Sequence, residues 1–77
     1  MDLRQIFATN LRRLRHARGL SQEELADLAD VNRTYVSKLE TGATYVGLEI
    51  LGKLARVLRA EPAELLRPTP RGGRRGR

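Results

Sequence analysis

The tightest constraint on this chain is a pair of helix starts set close together. Ser21 offers an N-cap oxygen, and Glu24, three residues on, closes a capping box just ahead of Leu25 and Ala26. Asn32 repeats the capping logic before a run from Arg33 through Thr34, Tyr35, Val36, Ser37, Lys38, Leu39 and Glu40, which Gly42 ends. Only a short turn separates the two helices. Leu25, Ala29, Val31, Val36 and Leu39 fall on inward positions, and small Ala26 allows close approach, so the segment from Gln22 to Leu39 predicts two short helices crossing at a sharp angle. The outward residues of the second are then Arg33, Thr34, Ser37 and Lys38.

The rest of the chain must complete one core around that pair. With 77 residues it has room for a single domain, since a domain this small buries only about 60% of the surface its unfolded chain exposes. There is no Cys, and His16 is the single His, so neither disulfides nor a metal cage can staple the fold. Aromatic residues make up only 4%, and Leu and Ala dominate the apolar set, which favours helix over strand. Leu3, Ile6, Phe7, Leu11 and Leu14 mark a first helix, with Asn10, Arg12 and Arg13 between them and Gly19 as its stop. Leu48, Leu51, Leu54, Ala55 and Leu58 mark a fourth helix. A short fifth starts at Pro62, with Leu65 and Leu66 on its apolar side. The expectation is an all-α domain of five helices over residues 1–67, followed by a Pro, Gly and Arg tail over 68–77. Pro68 and Pro70 end the regular structure, and Arg71 to Arg77 is Gly and Arg alone, a composition that predicts disorder when free.

The net charge of +6 points to a polyanionic partner, but four of the fifteen basic residues, Arg71, Arg74, Arg75 and Arg77, lie in that tail with no acidic neighbour. The tail reads as a DNA arm acting by counterion release, as inert solubilising charge, or as an RNA-binding Arg-Gly segment. No apolar run approaches the roughly 20 residues of a membrane span and nothing resembles a secretory signal, so the expected location is cytoplasmic, with no membrane partner. No nucleophile-base-acid set, phosphate-cradling Gly loop or metal-ligand spacing occurs, which argues against an enzyme, a cofactor or a small-molecule ligand. Glu23, Glu24 and Asp27 fall in the first turns of the second helix, where negative charge suits the helix dipole. Arg12, Arg13 and Arg18 read either as a phosphate-facing patch or as a solvated helix face.

What remains is the outward face of helix 32–41. An α-helix fits the major groove, where Arg and Lys donate to guanine O6 and N7 and a Thr methyl meets the methyl of thymine. Over residues 3–66 the sequence resembles the Cro and cI repressor family of helix-turn-helix proteins, the xenobiotic-response-element type. The residues that carry the likeness are Leu11, Leu14, Arg15, Gly19, Leu20, Ser21, Gln22, Leu25, Ala26, Val31, Val36, Ser37, Leu39, Glu40 and Gly42, followed by a leucine-spaced helix. The Asn32-Arg33-Thr34-Tyr35 run is also similar to the recognition-helix start of restriction-modification controller proteins.

The resemblance implies a lambda-repressor-like DNA-binding domain and a role for each matching position. Arg33, Thr34 and Lys38 match base-reading positions. Gln22, Asn32, Tyr35, Ser37, Thr44 and Tyr45 match positions at the sugar-phosphate backbone, Gln22 where a helix N-terminus meets a phosphate. Arg15 and Glu40 match a structural ion pair. Asp30 stands where the family most often has Gly, a left-handed turn position that Asp tolerates better than most residues, and Val46 stands where related sequences often carry Pro. The implied function is transcriptional regulation by a homodimer on a partly symmetric operator. Val57, Leu58, Leu65 and Leu66 are candidates for its seam, because a two-fold contact needs a self-complementary patch; the alternative is that they complete the monomer core. A reading of another class is an antitoxin-like partner that sequesters a protein and also binds DNA.

Overall fold

The computed structural model describes residues 2–68. It contains five helices in order: α1 (Leu3–Ala17), α2 (Gln22–Ala29), α3 (Arg33–Thr41), α4 (Leu48–Leu58) and α5 (Pro62–Leu65). No strand occurs among the described residues. The Arg71 to Arg77 stretch lies outside them.

Each of the first three helices starts on a side-chain cap. Asp2 accepts from the Arg4 amide at 3.0 Å. At α2 the capping box is complete: the Glu24 amide donates to Ser21 Oγ at 3.0 Å and the Ser21 amide to Glu24 Oε1 at 2.8 Å. Asn32 Oδ1 accepts from the Thr34 and Tyr35 amides at 2.7 and 3.4 Å. Such caps satisfy main-chain donors that a helix start leaves unpaired, for about 1 kcal/mol each. The turn between α2 and α3 is made by Asp30, which takes the left-handed conformation at φ 58°. α3 ends at Gly42, where φ is 77°, a left-handed conformation that favours glycine; an added Cβ would meet only the movable end of the exposed Gln5 side chain, so the backbone rather than the packing selects glycine.

α1 packs on α3 and α5, α2 on α3 and α4, and α4 on α5. The α2–α3 pair is thereby held between the first helix and the last two. The core joins Phe7 and Leu11 of α1, Leu25, Ala26 and Ala29 of α2, Val36 and Leu39 of α3, Leu51, Leu54, Ala55 and Leu58 of α4, and Leu65 of α5. Two of the seam candidates are corrected here. Leu58 and Leu65 are 0% exposed, because the short α5 can bury an apolar face only by turning it onto α4 and α1. Val57 is half-buried against the same core, and Leu66 remains on the surface at 37% exposure.

With four residues, α5 is far too short to be stable alone. Asn10, 1% exposed on α1, secures it by donating from Nδ2 to the Leu65 carbonyl at 3.0 Å and the Arg67 carbonyl at 2.9 Å. Arg18 Nε donates to the Leu58 carbonyl at 2.9 Å and so closes the end of α4.

Candidate nucleic-acid interface

α3 divides sharply between its two sides. Val36, Leu39 and Glu40 are buried, Arg33, Thr34 and Lys38 are exposed, and Tyr35 and Ser37 lie half-buried between them. The outer face therefore presents two cations and a hydroxyl with no carboxylate among them. The acidic residue of α3, Glu40, is turned into the protein at 2% exposure.

Glu40 is held there by a dense set of donors. Arg15 Nε donates to Oε2 at 2.6 Å and Arg15 Nη2 to Oε1 at 3.0 Å. Gln22 Nε2 donates to the same Oε1 at 3.0 Å, while Arg15 Nη1 reaches the Leu20 carbonyl at 2.8 Å. Arg12 Nη1 also donates to the Glu40 main-chain carbonyl. Burial works against the Glu40 charge, but the hydrogen bonds from Arg15 and Gln22 and the charges of Arg15 and Arg12 outweigh it and hold the carboxyl below its ordinary value. The hydrogen bond to Glu40 in turn raises the Arg15 guanidinium, against the opposing effect of burial. α1, the start of α2 and the end of α3 are thus pinned at one buried charge pair.

Gln22, the first residue of α2, spends one amide proton on Glu40, and a carboxamide has a second to give. Asn32 lies exposed at the start of α3, with its Oδ1 engaged in the cap. Tyr35 is not simply a surface phenol. Its hydroxyl donates to the Tyr45 carbonyl at 3.0 Å and accepts from the Gly47 amide at 3.3 Å. Arg4 lies over the Tyr45 ring, 4.9 Å from its centroid. Thr44 is half-buried and Tyr45 is 68% exposed, and the Tyr35 hydroxyl ties the loop between α3 and α4 to α3. Val46 packs against the core, anchoring by burial a loop that a proline would stiffen instead.

An apolar cavity of about 130 Å³ opens behind this loop, lined by Leu3, Arg4, Phe7, Thr44, Tyr45, Val46, Leu48, Leu51 and Leu66. Leu3, Tyr45, Leu48 and Leu66 on its rim are exposed, Leu48 at 83%. Among the described residues no cluster of His, Cys, Asp or Glu could hold a metal ion, and no helix is long and apolar enough to cross a membrane.

Among the polar contributions that went unread in the sequence are Asn10 capping α5, Arg18 capping α4 and Arg12 on the end of α3. Asn10 carried a usable signal, because it lies at helical spacing from Phe7 and Leu14, on the apolar stripe where a polar residue needs a buried partner. Arg12 and Arg18 carried none beyond their charge.

A family model described as a helix-turn-helix domain matches residues 6–67. The chain is 38% identical over 66 residues to the control protein C.SmaI of Serratia marcescens, covering 86% of this chain and 79% of that protein. It is 35% identical over 66 residues to the control protein C.BamHI of Bacillus amyloliquefaciens, covering 84% and 82%. Among solved structures it resembles the restriction-modification controller protein C.AhdI from Aeromonas hydrophila, with a TM-score of 0.78 and 47% identity over 80% of this chain and 94% of that one. It also resembles the hypothetical transcription factor NHTF from Neisseria, with a TM-score of 0.84 and 40% identity over 87% and 75%.

Proposed function

The chain belongs to the helix-turn-helix domain family of DNA-binding transcriptional regulators, and on that premise we propose that it recognises a specific, partly symmetric operator as a homodimer. The observation that carries the reading is the division of α3: one side is sealed into the core by Val36, Leu39 and the Glu40 ion pair, while Arg33, Thr34 and Lys38 stand clear on the other. A helix anchored this way can enter a major groove as a rigid rod. Arg33 and Lys38 then donate to guanine edges and Thr34 offers its methyl to thymine. Gln22, with its second amide proton, Asn32, Ser37, Thr44 and Tyr45 meet the sugar-phosphate backbone and set the register.

Two recognition helices in successive major grooves must lie about 34 Å apart. The self-complementary patch such a pair needs is supported by Leu3, Leu48 and Leu66, exposed apolar residues that line the cavity behind the loop that follows α3. The relatives named as control and controller proteins support regulation as the task.

Selection of bound sequences from a random duplex pool at near-physiological salt tests this reading. The expected product is an inverted repeat with half-sites one turn apart; salt-sensitive binding with no enrichment would overturn it. On the selected duplex, Gln22→Ala should weaken all sequences alike.

A further inference from the structure

We propose that Tyr35 is a positioning residue, whose hydroxyl fixes the α3–α4 loop against the recognition helix so that Thr44 and Tyr45 reach the DNA backbone in register with the base contacts. This rests on the reading of α3 and that loop as the DNA-binding face. A phenol has a single proton, and Tyr35 gives it to the Tyr45 carbonyl at 3.0 Å. To donate to a phosphate it would have to release the loop, exchanging one hydrogen bond for another. The bond it accepts has a purpose of its own. Gly47 is the N-cap of α4 and has no side chain with which to cap it, and its own amide is satisfied by the Tyr35 hydroxyl at 3.3 Å. One oxygen on α3 therefore binds the loop at two points, one before and one after Val46.

The other grips on the loop come from elsewhere in the fold. Arg4 of α1 covers the Tyr45 ring, and Val46 packs half-buried against the core. These hold the loop to the body of the domain, whereas the Tyr35 hydroxyl holds it to the helix that reads the bases. A loop already in its binding position costs less conformational entropy when DNA arrives. The ring of Tyr35 packs against the core, so Tyr35→Phe keeps the packing and removes only the brace.

The test uses the full chain and its selected duplex, with Tyr35→Phe, Thr44→Ala and the double variant. In free protein, the Gly47 amide of Tyr35→Phe should exchange with solvent faster than in the wild type, while the circular dichroism spectrum stays the same; unchanged exchange overturns the brace. Tyr35→Phe should bind about two- to tenfold more weakly, the size of one net hydrogen bond, with its base preference unaltered. Wild-type affinity in that variant overturns the proposal. Thr44→Ala should weaken the otherwise wild-type protein yet add little in the Phe background, because the loop is by then out of place. Additive losses would mean that the hydroxyl contacts DNA on its own account, which overturns positioning and leaves the loop reading intact. If Thr44→Ala and Tyr45→Ala both bind as the wild type does, the loop reading itself fails and takes the proposal with it.

Discussion

Arg15 and Glu40 meet at 2.6 Å across 25 residues of sequence, joining α1 to the buried side of the helix whose other side carries Arg33, Thr34 and Lys38. The pair is nearly dry, with side-chain exposures of 11% and 2%, and Gln22 shares one of the carboxylate oxygens. A surface ion pair of the same length would contribute little; this one sets the orientation of three elements at once.

Removing one partner should therefore be costly. Glu40→Ala leaves a largely buried guanidinium without its counter-charge, and a loss of about 3–5 kcal/mol is expected. That is a large share of the roughly 5–15 kcal/mol available to a domain. Urea unfolding should show a markedly lower midpoint. Replacing both residues by apolar ones of similar size, Arg15→Met with Glu40→Leu, should recover much of the loss, and a double variant as unstable as the single one would contradict this picture.

The same carboxyl makes the fold acid-sensitive in a defined direction. Its value in the folded state lies below the ordinary one, so its contribution is fully present above the unfolded value, about 4.3, and is lost as pH falls through the folded value. The unfolding midpoint of the wild type should hold steady from neutral pH down to about 5 and then fall. Glu40→Gln should start lower and lose less over the same acid range. Equal acid slopes for the two proteins would show that other carboxyls govern the transition.

Asn10 should prove structural. Asn10→Leu removes the Nδ2 donor from two main-chain carbonyls at the end of α5, with an expected cost of about 1–3 kcal/mol. Hydrogen exchange should rise first at Leu65 and Leu66 and only later in α2 and α3, and uniform loss of protection would show that α5 does not open separately.

At the proposed seam, Leu48→Glu and Leu66→Glu place charge on exposed apolar positions and should leave the monomer fold unchanged while lowering the mass in solution from dimer to monomer. Leu58→Glu should instead unfold the chain, because that side chain is in the core. A dimer that survives both surface substitutions would remove this patch from the seam.

The local signals were readable from the sequence because they act between near neighbours. The Ser21 and Glu24 capping box, the Asn32 cap, the left-handed Asp30 and the Gly42 stop each involve residues within one or two turns. The failures involve distant partners. Leu58 and Leu65 fitted an exposed seam as well as a core on spacing alone, and only the packing of α5 on α1 and α4 decides between them. The Tyr35 hydroxyl gave no hint of its loop partners, since main-chain groups at Tyr45 and Gly47 leave no mark on residue type. The outward face of α3 was legible because its opposite side is apolar at helical spacing.

The central claim is that Arg33 and its neighbours on α3 read base edges in the major groove. The most direct measurement is titration of the selected duplex and of the same duplex with 7-deazaguanine in place of guanine, a change that removes the N7 acceptor and leaves the phosphates and minor groove intact. The wild type should lose about 1–3 kcal/mol on the altered duplex, and Arg33→Ala, already weaker by a similar amount, should lose less than the wild type, keeping only the share that Lys38 contributes. Equal affinity of the wild type for both duplexes would contradict major-groove reading by α3.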